Sequence, residues 1–165
     1  MTVRLRKLEE KDAPFMLEWM LDPIINCFFR YDFSNATVDS CIEFIKSADD
    51  QSDTKHFAIV DDSDEYLGTI SLKNITENDA EYAISTRKKA HGTGIALEAT
   101  KQILNYSFDM LGLQRVYLNV LVDNKRANAF YKKAGFEFWH LEKNAIEING
   151  EKRDLNWFYI DRKEE

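Results

Sequence analysis

The 165 residues carry 22 Lys and Arg against 29 Asp and Glu, a net charge of −7, and are 44% hydrophobic with only 6 Gly and 2 Pro. An acidic balance excludes sequence-independent nucleic-acid binding, which draws its affinity from Lys and Arg neutralising phosphates, and the apolar content excludes intrinsic disorder. The length suits one domain over residues 1–165, and no apolar run approaches the roughly 20 residues of a membrane span.

VRLRKL (3–8) alternates apolar and basic residues as a half-buried strand does. MTVRLRKLEEKD has no apolar segment of the export type, so a cytoplasmic protein is expected. Asp12 offers an N-cap, and Pro14 falls in the first turn of a helix that stops before Pro23. An irregular aromatic segment, CFFRYDF (27–33), precedes a second helix through SCIEFIKSA that Thr37 caps. HFAIV (56–60) and YLGTISLKNI (66–75) predict strands joined by the acidic loop DDSDE. AEYAIS (80–85) predicts another strand, with Tyr82 and Ile84 on one face. IALEATKQILNYSFDML (95–111) repeats apolar residues at helical spacing, and Gly112 closes that helix. RVYLNVLV (115–122) is a β-branched strand, NKRANAFYKKA (124–134) a short helix ending at Gly135, and FEFWHLEKNAIEI and KRDLNWFYIDR a hairpin about Asn149-Gly150. The order β-α-α-β-β-β-α-β-α-β-β predicts an α/β fold, one mixed sheet with helices on both faces. The segment 80–122 supplies a parallel pair by right-handed crossover.

Cys27 and Cys41 match no metal or redox spacing, and a core of this size needs no disulfide, so reduced, packed thiols are expected. His56, His91 and His140 have no metal-ligand spacing either.

The stretch RKKAHGTGIALEAT (87–100) raises a chemical question, because an acidic chain here gathers Arg87, Lys88, Lys89 and His91 just before two glycines and a helix. The first N–H groups of a helix lack intrahelical partners and lie at the positive end of its dipole, so glycines there let an anion approach closely. HGTG has that form, although a tight turn that packs a helix on its strand has it too. A P-loop is excluded because its Lys-Ser/Thr ending is missing, and a dinucleotide fingerprint because Leu97 stands where Gly or Ala is required. The basic residues suit phosphate steering or a solvated turn.

KAHGTGIALEAT resembles the acyl-CoA-binding motif of the GNAT superfamily of N-acetyltransferases, Arg/Gln-x-x-Gly-x-Gly/Ala. VDNKRANAFYKKAGF resembles its second signature, Asn-x-x-Ala-x-x-x-Tyr ending in Gly-Phe. Both occur in order, and the predicted elements match the family fold nearly from end to end. The resemblance implies that acetyl-CoA is the co-substrate, its pyrophosphate held by backbone amides of His91, Gly92, Thr93, Gly94 and Ile95. The pantetheine arm would lie along the strand near Ile84 and Ser85, in a groove made where the sheet splays between strands 80–85 and 115–122. Lys89 departs from the pattern, standing where Arg or Gln is usual. Asn124 and Ala127 match the second motif beside the pantetheine arm, and Tyr131 lies near the sulfur.

Attack of an amine on a thioester needs an unprotonated nitrogen, a donor for the oxyanion and a proton for the departing thiolate. The resemblance assigns the proton to the phenol of Tyr131 and the oxyanion donor to the backbone around Tyr82 to Ile84. Glu81 is the candidate base, with an ordinary polar residue on the sheet's other face as the competing reading. Direct transfer is implied, since neither cysteine lies in the motifs and no nucleophilic triad is present. Phe28, Phe29, Tyr31, Phe33, Trp139 and Trp157 could wall an acceptor pocket or fill the core. Arg30, Tyr31 and Asn119 are the candidate acceptor contacts. The middle of the chain resembles the branches that acetylate nucleotide-linked amino sugars and ribosomal-protein N-termini. The expected acceptor is a small-molecule amine, an amino sugar nucleotide foremost, with protein N-termini and polyamines as alternatives. A silent acyl-CoA-binding module or a protein-interaction domain is the non-enzymatic reading. No metal, nucleic acid or membrane is implied, and the protein is expected as a monomer or homodimer.

Overall fold

The computed structural model describes residues 2–29 and 31–164. The predicted order holds with one addition: β1 (Arg4–Lys7), α1 (Ala13–Met20), α2 (Pro23–Asn26), α3 (Val38–Ser47), β2 (Lys55–Val60), β3 (Tyr66–Lys73), β4 (Asp79–Thr86), α4 (Ile95–Asn105), β5 (Arg115–Leu121), α5 (Lys125–Lys133), β6 (Glu137–Ile148) and β7 (Glu151–Asp161). The added element is α2, a single turn between the predicted end of the first helix at Pro23 and the irregular segment 27–33. Pro23 supplies its preset φ at the first position, and the Asp22 carboxylate accepts the Ile24 N–H at 3.0 Å.

Asp12 does not cap α1. It is 1% exposed, receives the Arg6 guanidinium in a two-pronged pair at 2.8 and 2.9 Å, and accepts the Glu9 N–H at 2.9 Å. A carboxylate already holding a buried cation has no reason to turn to the helix, and the chain enters α1 through a 3₁₀ turn over Glu10–Asp12. Thr37 does cap α3, accepting the Ser40 N–H at 3.1 Å while the Ser40 hydroxyl accepts the Thr37 N–H. The helix that follows the glycine loop is α-helical through Asn105 and widens to one π turn over Tyr106–Met110. There the Ser107 hydroxyl bonds back to the Ile103 carbonyl at 2.7 Å. Cys41 is buried as expected, but Cys27 is exposed, because α2 sits on the surface; both thiols are free.

All seven strands join one sheet in the order β1-β2-β3-β4-β5-β7-β6. Alternation sends neighbouring residues to opposite faces. Ile59, Ile70, Leu72, Tyr82, Val116, Leu118 and Phe158 meet Ile95, Ala99 and Ile103 of α4 and Tyr131 of α5. Ala58, Val60 and Tyr66 meet Ala13, Met16 and Trp19 of α1 and Cys41 and Ile45 of α3. Every pairing is antiparallel except β4 with β5, which run parallel for only three residues, Asp79–Glu81 against Arg115–Tyr117. Beyond Glu81, β4 stays on β3 as far as Thr86, and β5 stays on β7 as far as Leu121. The two halves of the sheet therefore part like a wedge. Among the described residues no helix is long and apolar enough to cross a membrane.

Candidate active site

A cleft of about 1270 Å³ occupies the wedge. Its walls include Tyr82, Ile84, Ser85 and Thr86 from β4, Asn119 to Leu121 from β5, Gly92 and Gly94 before α4, and Asn124, Ala127 and Tyr131 from α5. It also takes in Glu81, Glu142 and Trp157, which lie on the opposite face of the sheet from Tyr82 and Phe158. The cleft thus runs through the sheet and opens on both sides.

Gly92 and Gly94 have φ of +74° and +84°, values that carry little penalty only for glycine, and a side chain at either would project into open space. The loop's amides divide into two sets. His91, Thr93 and Ile95 spend theirs internally, on the Lys88 carbonyl at 3.0 Å, the Ala90 carbonyl at 3.4 Å and the Thr93 hydroxyl at 3.3 Å. Gly92, Gly94, Ala96 and Leu97 find no acceptor among the described residues, and all four line the cleft, whereas Thr93 and Ile95 do not. Ile95 is 4% exposed and packs in the core, and the Thr93 hydroxyl ties the loop to Ala90 at 2.6 Å. Thr93 and Ile95, expected among the anion-holding amides, therefore shape the loop rather than face the cleft. The donors missed by motif reading, Ala96 and Leu97, are the second and third residues of α4 and follow from the rule of unpartnered first-turn amides.

Of the basic run before the loop, Arg87 and Lys89 are tied to carboxylates, and none of Arg87, Lys88 and Lys89 lines the cleft. Arg87 is buried, donates to the Glu18 carboxylate at 2.7 and 3.0 Å and to the Tyr66 carbonyl, and lies 4.7 Å from the Phe15 ring centroid. Lys89 pairs with Glu65, away from the cleft. The cations at the cleft mouth come instead from α5: Arg126 donates to the His91 ring at 2.6 Å, and Lys125 stands beside it. Desolvation, then the nearby Arg126, pushes the His91 pKa down, so the ring is neutral and accepts this bond. Both basic residues lie inside the second motif, where their helix-start position was the available signal.

On β4, the Arg87 N–H to Leu67 carbonyl bond at 2.9 Å fixes which peptides face β3. By alternation Glu81, Ala83 and Ser85 bond β3, and the peptides of Tyr82, Ile84 and Thr86 turn toward β5. The Tyr82 N–H still meets β5 at Tyr117, the last paired position, and beyond it the Tyr82 carbonyl and the peptides of Ile84 and Thr86 face the gap where β5 has diverged, along one wall. Gly68 keeps that wall close to β3, since a β-carbon there would lie 2.6 Å from the Ser85 carbonyl oxygen.

Asn124 caps α5 by accepting the Ala127 N–H at 3.3 Å, and Asn128 bonds the Leu121 and Asn124 carbonyls, fixing the α5 end at the cleft. Tyr131 is 8% exposed and sits among Tyr82, Phe130, Phe136 and Phe158, all with ring centroids 5.5 to 6.3 Å away. Its hydroxyl bonds to no described residue. No side-chain oxygen or nitrogen among the described residues is both sealed from solvent and unpartnered, so that hydroxyl opens on the cleft. Burial pushes its pKa well above the usual phenol value, and the ring stays protonated.

On the far side of the wedge, Glu81 stands beside Asn119, Glu142, Lys73 and Trp157, and Trp157 donates its indole N–H to Glu142 at 3.0 Å. Phe28 and Tyr31 also line the cleft, with Tyr31 64% exposed, whereas Phe33 packs against Trp19 and Phe29 in the α1–α3 core. Trp139 lies outside this cleft. Arg30, a candidate acceptor contact, lies outside the described residues. Among the described residues no cluster of His, Cys, Asp and Glu has the makings of a metal site.

A wedge-split sheet with a glycine loop and a helix N-terminus at its mouth is a defined architecture, and residues 2–137 match the family described as the Acetyltransferase (GNAT) domain. The chain belongs to the GNAT acetyltransferase family. It is 32% identical over 109 residues to a spermidine N(1)-acetyltransferase of Vibrio cholerae, a match spanning 64% of this chain and 62% of that one. It is 23% identical over 142 residues to acetyltransferase PseH of Campylobacter jejuni, covering 86% and 87% of the two chains. Among solved structures, the spermidine N-acetyltransferase of Vibrio cholerae in complex with CoA and spermine superposes with a TM-score of 0.84 at 26% identity, over 96% of this chain and 95% of that one.

Proposed function

We propose that the protein transfers an acetyl group from acetyl-CoA directly to a primary amine of a small cationic molecule. The observation that carries this reading is the juxtaposition in one through-sheet cleft of four unengaged amides, at Gly92, Gly94, Ala96 and Leu97, with the uncommitted hydroxyl of Tyr131. The amides, at the positive end of α4, suit a diphosphate, with Lys125, Arg126 and His91 beside them. The Tyr82 carbonyl and the backbone groups of Ile84 and Thr86 that face the gap suit the amide-rich pantetheine arm, and the Ile84 N–H brings a donor toward the thioester carbonyl. Asn124 and Ala127 form the facing wall. Tyr131 gives its proton to the departing thiolate as the amine nitrogen bonds to the carbonyl carbon and the carbon–sulfur bond breaks. Glu81, on the acceptor side, takes the proton that the amine must lose, and Asn119 orients the acceptor.

A polyamine fits this site better than the amino sugar nucleotide expected foremost from sequence. Glu81 and Glu142 make the acceptor opening acidic, and matched relatives are named as spermidine acetyltransferases. The amino sugar nucleotide keeps one supporting observation, the cation of Lys73 among the residues that line the cleft. Thiol release from acetyl-CoA, measured across spermidine, putrescine, monoamines, amino sugar nucleotides and N-terminal peptides, tests the reading. Turnover with polyamines first is expected; no CoA binding and no turnover with any amine would overturn it.

A further inference from the structure

On the face of the sheet opposite α4 and α5, β5, β7 and β6 present aromatic rings that the core does not use. Tyr117 forms a floor, with the Trp139 ring 6.4 Å away on one side at 74° and the Trp157 ring 6.1 Å away on the other at 32°. His140 stacks on Trp157 at 5.7 Å. Strand alternation alone would not put Trp139 and His140 together on this face. The β6–β7 register slips between Phe138 and His140, so Phe138 pairs with Phe158 and His140 with Trp157 while Trp139 is the extra residue. That bulge turns Trp139 toward Tyr117, the kind of re-aiming that bulges perform near functional sites. The slot so made is shallow, about 650 Å³, and is lined by Asp79, Tyr117, Trp139, His140, Glu142 and Trp157. Glu142 and Trp157 also line the main cleft, so the two spaces adjoin.

The slot is electronegative. Asp79, Glu81 and Glu142 form no ion pair among the described residues, and Lys73, the cross-strand neighbour of Glu81, is on β3, on the far side of β4 from Tyr117. Burial, then Glu81 and Asp79, push the Tyr117 pKa up, as expected of a phenol flanked by two carboxylates. The rings are already used for cation contact at the slot's outer edge, where the Arg115 guanidinium lies 5.1 Å from the Trp139 centroid and 4.3 Å from that of Tyr159. Arg115, the cross-strand neighbour of Asp79, is bonded to Asp161 at 2.6 and 3.0 Å, and Glu142 in the slot and Glu81 beside it have no ion-pair partner among the described residues.

We infer that this slot is a subsite for the second cationic group of the acceptor, holding a distal ammonium against Tyr117, Trp139 and Asp79 while the reacting nitrogen lies between Glu81 and Tyr131. The inference rests on the acetyl-transfer reading of the main cleft. Asp79 and Glu81 share a face of β4 two residues apart, about 7 Å along the strand, a span that suits two nitrogens joined by a short methylene chain. Ring faces and carboxylates together favour an ammonium over a neutral or anionic group of the same size.

Putrescine and butylamine, equal in carbon chain and differing in the distal ammonium, test the subsite. The wild type is expected to show a KM for putrescine about tenfold below that for butylamine, the ratio that one such contact of about 1.4 kcal/mol confers. Trp139→Ala and Asp79→Asn should each abolish that preference by raising the putrescine KM, with the butylamine KM within twofold of wild type and the KM for acetyl-CoA unmoved. Trp139→Phe, which keeps a ring face, should retain most of it. Equal KM values in the wild type, or variants that raise both amines alike, overturn the subsite while leaving acetyl transfer standing. Absence of turnover with every amine counts against the proposed function, and the subsite is then decided by calorimetric titration of putrescine into the CoA-saturated protein. Binding lost in Trp139→Ala supports it, and binding unchanged overturns it.

Discussion

Tyr131 packs in the core and, in the proposed reaction, supplies the proton for the departing thiolate. Its ring is enclosed by four aromatic neighbours, yet its hydroxyl has no bond among the described residues and faces the cleft. Tyr131→Phe keeps the ring and removes the proton, so kcat for thiol release is expected to fall about a hundredfold or more with melting temperature nearly unchanged; an undiminished kcat removes Tyr131 from the mechanism. Sequence alone offered Tyr131 only as an aromatic on a short amphipathic helix, and the Asn-x-x-Ala-x-x-x-Tyr spacing singled it out. Residues whose role depends on distant partners were less legible. Asp12 and Arg87 carry side chains that cap helices or bind phosphate elsewhere, and in this chain both are buried and spent on ion pairs, with Arg6 and with the half-exposed Glu18, that alternation and charge patterns do not connect to them.

At the scale of elements, the loop before α4 divides its amides into those that hold its own shape and those that point outward, and glycine is what permits the division. Gly94→Ala would force a side chain into a left-handed conformation at φ +84° and raise it into the cleft. The expected result is a loss of about 1 kcal/mol of stability, with a rise in the calorimetric Kd for CoA out of proportion to it. Asn124→Ala removes the α5 cap and is expected to cost about 1 kcal/mol, read as a lower denaturant midpoint. Helix starts, glycine stops and the Asn149-Gly150 turn, with φ of 51° and 80°, were readable because local chemistry decides them. The single turn of α2 carried an Asp-Pro start signal but had no room to develop periodicity. The slip in β6 is set by tertiary packing and left no mark in the alternation.

Across the whole molecule, one short parallel contact joins two otherwise antiparallel half-sheets, and the active cleft is the gap that remains. The element order predicted a parallel pair between the strands at 80–85 and 115–122 and the family resemblance implied that they splay, but the point of parting, after three residues, was not legible, because it reflects β4 and β5 following different partners. The core also places three phenols, Tyr66, Tyr82 and Tyr131, where burial raises their pKa values. In the unfolded chain they ionise near pH 10, so above about that pH unfolding releases protons that folding retains. Melting temperature should therefore hold steady as pH rises to about 10 and decline beyond it, and a flat profile to higher pH would contradict this burial. The wedge has a kinetic corollary too. In the proposed reaction the diphosphate and the amine enter by opposite doors of one passage, so neither reactant bars the other's way in, and both must be present together for a bond to change hands. Double-reciprocal plots at several fixed concentrations of the second reactant are accordingly expected to intersect, whereas parallel lines would mean an acyl group parked on the protein between visits.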